Sequence, residues 1–365
     1  MQPRSSNDER VTSSVLIFLA GSRMGQTLSE PVTDKESACC QNEHLKVGSS
    51  SMQGWRINME DSHCHILSLP DDPGTAFLAV YDGHGGAKVA QYAGANLHKF
   101  IIKQPEYETG NIEEALRKGF LALDQAMLAE ESLRDEMAGS TAIVVLIKND
   151  TLYCANVGDS RAIACVAGRE ESLSNDHKPS YPSEKRRIRA AGGWVESNRV
   201  NGNLALSRAL GDFVFKRNES KSAEEQVVTA LPDVEVRTVT PEWEFVLLAC
   251  DGIWDVMGRS EVCDFVRLRL STGMEPEVIC EELMTRCLAP DCHMGGLGCD
   301  NMTVVLACFL HGESFSQLVA KCARPAVRPV DELACNFNSF LAPQISSHWI
   351  CQSQRTHAQL PKFFL

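Results

Sequence analysis

Two apolar runs, TAFLAVY at 75–81 and EFVLLAC at 244–250, each end on an aspartate followed by glycine, Asp82-Gly83 and Asp251-Gly252. Such runs read as strands, and the residue after a strand projects at the sheet edge, where sites are built. The glycine lets the backbone turn and lets its carbonyl approach a ligand. Asp300 has the corresponding place at the start of NMTVVLACFL (301–310). WRINMED (55–61) and VGDSR (157–161) add to YDGHGG (81–86), LACDGIWD (248–255) and CDNMT (299–303), so five short blocks set acidic residues beside glycine or at strand ends. One Asp-Gly alone is ordinarily a turn; five such blocks point to a shared site. Converging carboxylates do not all stay ionised without a cation, because like charges and burial both raise their pKa values. Mg²⁺ or Mn²⁺ meets that need, being a hard ion that takes oxygen ligands and keeps several waters. Two such ions about 4 Å apart can share a carboxylate and activate a bridging water for attack on phosphorus.

The rest of the composition narrows the class. The 365 residues carry 35 Lys plus Arg against 48 Asp plus Glu, a net charge of −13, which disfavours nucleic acid and anionic membrane surfaces as partners. Fifteen cysteines, an odd number, are scattered along the chain, several inside apolar runs such as TLYCANV. That is the pattern of free, buried thiols in a reduced intracellular compartment. The best candidate for a signal h-region, VLIFLA at 15–20, is short and follows Asp8 and Glu9, and no apolar run reaches the ~20 residues that span a bilayer.

Periodicity gives the organisation. Residues 1–47 are polar and aperiodic and read as a flexible lead-in. GGAKVAQYAGANLHKFIIK (85–103) reads as a helix, and NIEEALRKGFLALDQAML (111–128) as a second, capped by Asn111. STAIVVLI (140–147), TLYCANV (151–157) and RAIACVA (161–167) read as three strands of a β-meander. PSEKRRIRAAGG (182–193) is a short basic helix with a glycine stop; Ser260 caps a helix to Leu270, and Pro276 opens another with Ile279, Leu283 and Cys287 inward. Blocks of strands with paired helices between them argue a layered α+β domain over 48–310. Residues 310–365 carry five basic and three acidic side chains, four prolines and no clear period, and 311–365 reads as a loosely ordered tail.

SMQGWRINMEDSH, AVYDGHGG, GSTA, NVGDSRA, DHKPS, RVNGNLALSRALGDF, LACDGIWDVM and CDNMTVV resemble, in order, the signature blocks of the type 2C metal-dependent (PPM) protein serine/threonine phosphatases. The resemblance implies a central antiparallel β-sandwich flanked by helices on both faces, with a two-metal centre at one edge. It implies direct hydrolysis of phosphoserine and phosphothreonine by a metal-activated water, using two Mg²⁺ or Mn²⁺ ions and a weaker third. On the matching positions, Asp82 bridges both metals, the Gly83 carbonyl binds one, and Asp251 and Asp300 bind the other. Glu60 and Asp61 hold metal-bound waters, Arg56 receives the phosphate, and His84 is the general acid for the leaving alkoxide. Asp159 belongs, with Asp251, to the third metal, while Asn301 and Asp255 lie near the centre without ligating.

Other residues take plainer readings. Ser140 and Thr141 are structural hydroxyls, Arg208 and Asp212 fix loop geometry, and Met52, Trp55 and Trp254 are core. Asp291-Cys292-His293…Cys299 lacks the paired C-x₂-C element of a zinc site. Lys185, Arg186, Arg187 and Arg189 make a solvated helix face that, in this family, precedes a flap near the active site. Relatives often begin with Met-Gly, which here is Met24-Gly25, followed by Ser29 as N-myristoylation requires. The expectation is a monomeric cytoplasmic enzyme, also nuclear, acting on phosphoproteins, with a membrane-associated pool only if a Met24 form is acylated. The competing reading is an inactive scaffold with the phosphatase fold, which loss of Asp82, Asp251 or Asp300 would have favoured.

Overall fold

The computed structural model describes residues 27–134, 137–292 and 296–326. Two antiparallel sheets face each other. One has five strands, in the order Asp233–Thr238, Thr151–Val157, Ala142–Lys148, Thr75–Tyr81, Ser62–Ile66. The other has six, in the order Thr27–Gln41, Leu45–Arg56, Met302–Phe309, Trp243–Ala249, Arg161–Val166, Arg169–Ser172.

The strand period of two explains why the central strands are apolar throughout. In Thr75–Tyr81, Ala76, Leu78 and Val80 point into the seam between the sheets, against Val246, Leu248 and Val305. Phe77, Ala79 and Tyr81 point the other way, into Val89, Leu97, Leu116 and Phe120 of the helices Lys88–Ile102 and Ile112–Ala129. On the outer face of the second sheet, Leu247, Ala249, Met302 and Val304 meet Val262, Val266, Ile279 and Leu283 of the helices Arg259–Leu270 and Pro276–Cys287. The result is helix, sheet, sheet, helix, an α+β sandwich with both helical layers amphipathic. Asn111 caps its helix as the sequence predicts, its side chain accepting from the Glu114 N–H at 3.3 Å.

The β-meander is not formed. Thr151–Val157 pairs with Ala142–Lys148, but Arg161–Val166 lies in the other sheet, beside Trp243–Ala249 and Arg169–Ser172. Ala162 and Ala164 face the seam while Ile163 and Cys165 face the outer helices, so burial of both faces overrides the local hairpin signal. Gly158, at φ +107°, carries the chain from one sheet to the other. Asp159 is thereby set in the crossing itself, at one end of the seam.

The domain edges also differ from the composition reading. The lead-in over 1–47 is irregular in sequence, yet Thr27–Gln41 is a strand paired with Leu45–Arg56. Its side chains are mostly exposed, so no apolar alternation announces it; the Asn42 carboxamide oxygen closes the hairpin by accepting from the N–H groups of His44 and Leu45 at 2.9 and 2.8 Å. The tail begins later than 311: the helix Phe315–Cys322 buries Leu318 and Cys322 in the outer core, and the Arg267 guanidinium donates to the carbonyls of Lys321 and Arg324. The compact unit runs to Ala326. Residues 15–20, Met24-Gly25 and 327–365 lie outside the described residues. Gly258, not Ser260, stands at the N-cap of Arg259–Leu270. Cys154, Cys165 and Cys250 are buried free thiols as expected, but Cys292 and Cys299 are joined in a disulfide that clasps the loop before Asp300.

Candidate metal centre

Asp82 leaves the strand Thr75–Tyr81, and Asp251 opens the short helix Asp251–Trp254 directly after the strand ending at Ala249. Asp300 precedes Met302–Phe309, Asp159 sits in the sheet crossing, and Glu60 and Asp61 lie in the link between two strands. The ends of both sheets thus deliver Arg56, Glu60, Asp82, Gly83, His84, Asp159, Asp251 and Asp300 to one cavity of about 700 Å³. Ligand atoms of Asp82, Asp159 and Asp251 lie within 4.8 Å of one another, as do those of Asp61, Asp82 and Cys250. Asp82 belongs to both groups. Glu60 and Asp300 line the same cavity outside them.

Burial, then repulsion from neighbouring carboxylates, drives Asp82 and Asp251 well above the usual carboxylate range. Burial also lifts Asp61 to about 7, against a hydrogen bond from Thr303 that lowers it and the Asp300 charge that raises it further. Thr303 Oγ1 donates to Asp61 Oδ2, whereas Asp61 Oδ1 is buried with no partner. An orphaned anionic oxygen beside like charges is the environment a hard divalent cation relieves, and the carboxylates present fit Mg²⁺ or Mn²⁺. The Cys250 thiol, pushed far up by burial and the adjacent carboxylates, stays protonated and is a poor ligand for such an ion.

The supporting contacts are specific. The Asp82 N–H donates to Thr141 Oγ1 at 3.1 Å, and the Thr141 N–H donates to the Asp82 carbonyl at 2.9 Å, so Thr141 has the structural role its sequence position suggests. A Cβ at Gly83 would lie 2.3 Å from the Glu60 carbonyl oxygen, so only glycine lets these two backbone segments meet. Asn301 donates to the carbonyls of Gln53 and Asn58 and accepts from the Glu60 N–H at 2.9 Å, which fixes the loop that carries Glu60. Arg56 reaches the cavity and pairs with Asp300 Oδ2, while Asp300 Oδ1 accepts from the Asn301 N–H at 2.8 Å.

His84 Nε2 lies 2.7 Å from Asp212 Oδ2. Burial lowers the His84 pKa, but the charge and hydrogen bond of Asp212 outweigh it and raise the ring above its ordinary value. Asp212, expected only to fix loop geometry, therefore touches a candidate catalytic group; 128 residues separate the pair, and no local pattern links them. Lys178, inside the DHKPS block but given no role from sequence, pairs with Asp159. Arg208 does fix loop geometry, chelating Glu184 and reaching Asp233 at 2.8 Å. Of the basic helix face, Arg187 turns inward to Glu184 and the Ser207 carbonyl, while Arg186 and Arg189 are exposed. Met52, Trp55 and Trp254 are core.

Comparison with known proteins agrees with this geometry. The family model described as protein phosphatase 2C matches residues 45–294. A probable protein phosphatase 2C of Caenorhabditis elegans is 65% identical over 304 residues, 83% of this chain and 85% of that protein. Protein phosphatase 2C homolog 2 of Schizosaccharomyces pombe is 49% identical over 294 residues, 79% of this chain and 80% of that one. A solved phosphatase structure from a pathogenic strain of Toxoplasma gondii superposes with a TM-score of 0.65 at 28% identity, covering 76% of this chain and 95% of that chain. The chain belongs to the protein phosphatase 2C family and is a metal-dependent protein serine/threonine phosphatase.

Proposed function

We propose that this phosphatase works with two Mg²⁺ or Mn²⁺ ions and a weaker third, held by Asp82, the Gly83 carbonyl, Asp251, Asp300 and Asp159, with Glu60 and Asp61 holding waters. The observation that carries the reading is the convergence of Asp82, Asp159, Asp251 and Asp300 on one cavity, with ligand atoms of the first three within 4.8 Å of one another. When bound, such ions supply Lewis-acid polarisation at phosphorus and a water of lowered pKa.

The chain's own groups do the rest. The Arg56 guanidinium, exposed at the cavity and planar, suits bidentate contact with two phosphoryl oxygens. Its pairing with Asp300 holds it beside the cavity until substrate arrives. His84 delivers a proton to the departing serine or threonine alkoxide. With Nε2 committed to Asp212, Nδ1 is the ring atom that carries the transferable proton. Thr141 and Asn301 hold Asp82 and Glu60 in place through their backbone contacts. Asp82, Asp251 and Asp300 all lie in one cavity, so the inactive-scaffold reading is not favoured.

The substrates on this reading are phosphoproteins, met by a monomer in the cytoplasm and nucleus. A form begun at Met24 would be N-myristoylated at Gly25, and a single acyl chain gives only reversible membrane attachment. Activity on a phosphothreonine peptide should vanish in excess EDTA and return with Mn²⁺ or Mg²⁺; full activity in EDTA would overturn the metal assignment. Intact mass of protein from native cells tests the acylated form: an unmodified Gly25 terminus, or only chains that begin at Met1, would rule it out.

A further inference from the structure

Lys178 lies in DHKPS, a block that none of the assigned roles uses. Its ammonium pairs with Asp159 Oδ2, and the Asp159 side chain is only 9% exposed. The lysine is anchored to the same turn that carries its partner. The His177 N–H donates to the Gly158 carbonyl at 2.9 Å, and the Gly158 N–H donates back to His177 Nδ1 at 3.2 Å. Asp233 holds the far side of that ring at 3.2 Å. The backbone at Lys178 is therefore held to the turn, while its side chain remains 27% exposed.

The neighbouring cation is already committed. Arg161 chelates Asp176 through Nε and an Nη at 2.8 and 2.9 Å. Lys178 is thus the cation in direct contact with Asp159, a carboxylate that also faces Asp82 and Asp251, while Arg161 acts on it from a distance. One oxygen set is shared by two claimants: a tethered ammonium, and any cation held between Asp159 and Asp251.

We propose that Lys178 is a built-in counter-ion that competes with a divalent cation for Asp159 and so sets the weak affinity of the outermost ion position. This rests on the assignment of Asp159 and Asp251 to a third ion. A unit positive charge in contact with a ligand repels a divalent cation and competes with it for the carboxylate oxygen. In the absence of the ion the same charge offsets repulsion within the acidic cluster. Lys178 pairs with Asp159 and not with Asp82, Asp251, Asp300 or the Gly83 carbonyl, so the two inner ions those groups would hold are little affected.

Binding of Mn²⁺ alone to the full chain, followed by calorimetry and by the electron paramagnetic resonance signal of free Mn²⁺, tests this without reference to turnover. Wild-type protein should show tight binding and one weaker event. Lys178→Met should tighten the weak event by roughly tenfold or more and leave the tight ones in place, whereas Lys178→Arg, which keeps the charge, should stay near wild type. Circular dichroism checks the fold of each, and Lys178→Gln replaces the methionine variant if that one does not fold. A weak event unchanged by loss of the charge, or tightened equally by arginine, overturns the proposal. Tight binding with no weak event in the wild type removes the third ion and the proposal with it. No Mn²⁺ binding at all would instead sink the underlying metal assignment.

Discussion

Thr303 Oγ1 donates to Asp61 Oδ2 at 2.7 Å and leaves the other oxygen of that carboxylate buried and unpaired. The burial of this carboxylate makes metal-free protein sensitive to pH. Burial holds the Asp61 pKa at about 7 in the folded state, above its ordinary value of 3.8. The folded chain then binds more protons than the unfolded one, so stability is fully present below about pH 4 and falls as pH rises through 7. In EDTA, unfolding free energy should drop between pH 5 and 7 by on the order of a few kcal/mol, and saturating Mg²⁺ should abolish the slope. Asp61→Asn should reduce the slope and leave the part that Asp82 and Asp251 contribute. A metal-free denaturation series that stays level from pH 5 to 7 would contradict the burial argument.

Asp82→Asn or Asp251→Asn should lower kcat by roughly a thousandfold or more, because each removes a ligand charge on which the reaction depends. Both carboxyls are held far above their usual range by burial and mutual repulsion. The metal-free variants should therefore be at least as stable as wild type. Thermal melts in EDTA that fall by more than a few degrees would show that these side chains hold the fold rather than the ions.

His84→Gln should slow an alkyl phosphate such as a phosphoserine peptide more than p-nitrophenyl phosphate, whose leaving group needs little help. Asp212→Asn, acting through the 2.7 Å contact to the ring, should show the same split to a smaller degree and shift the acidic-to-basic midpoint of the pH profile. Equal losses on both substrates would remove the pair from the proton path.

Truncation separates tail from domain. Ending the chain after Ala326 should leave kcat/KM unchanged. Ending it after Leu310 strips Leu318 and Cys322 from the outer core and takes two carbonyl partners from Arg267, and should cost about 3 kcal/mol or more. Urea denaturation of the two forms would decide between 310 and 326 as the domain edge.

The Cys292–Cys299 bridge has a sequence separation of 7, and closing a loop of that size is worth about 2 kcal/mol in the chain-entropy picture. Dithiothreitol should lower the unfolding midpoint of wild-type protein and leave that of Cys292→Ser unaltered. Indifference of the wild type to reductant would show that the bridge does not contribute in solution.

What the sequence made legible was chemistry attached to strand ends. Asp82, Asp251 and Asp300 stand beside long apolar runs, and a period of two with both faces buried leaves few alternatives for where the last residue goes. The helices capped at Asn111 and opened by Pro276 were equally readable, because their signals are local. Three kinds of feature were not. Thr27–Gln41 is held by backbone pairing at an exposed edge, so its side chains carry no pattern. Arg161–Val166 changes sheet because of what covers it, and a turn of three residues does not encode that. Asp212 and Lys178 reach their partners through the fold, and the second of these pairs also depends on the crossing that the β-meander reading denied.

Asp82 comes off the five-stranded sheet, while Asp251 and Asp300 come off adjacent strands of the six-stranded one. A cation shared across them is a cross-brace between two slabs whose seam is largely hydrophobic packing. Thermodynamic linkage then runs both ways: the ion clamps the slabs, and whatever lets them slide weakens the ion. Shaving a seam side chain such as Leu78 or Val145, neither of which lines the cavity, should loosen cation binding from a distance. In this architecture the affinity for metal is a strain gauge for the alignment of the sandwich, so a variant far from every ligand can arrive in an assay disguised as a metal-binding defect.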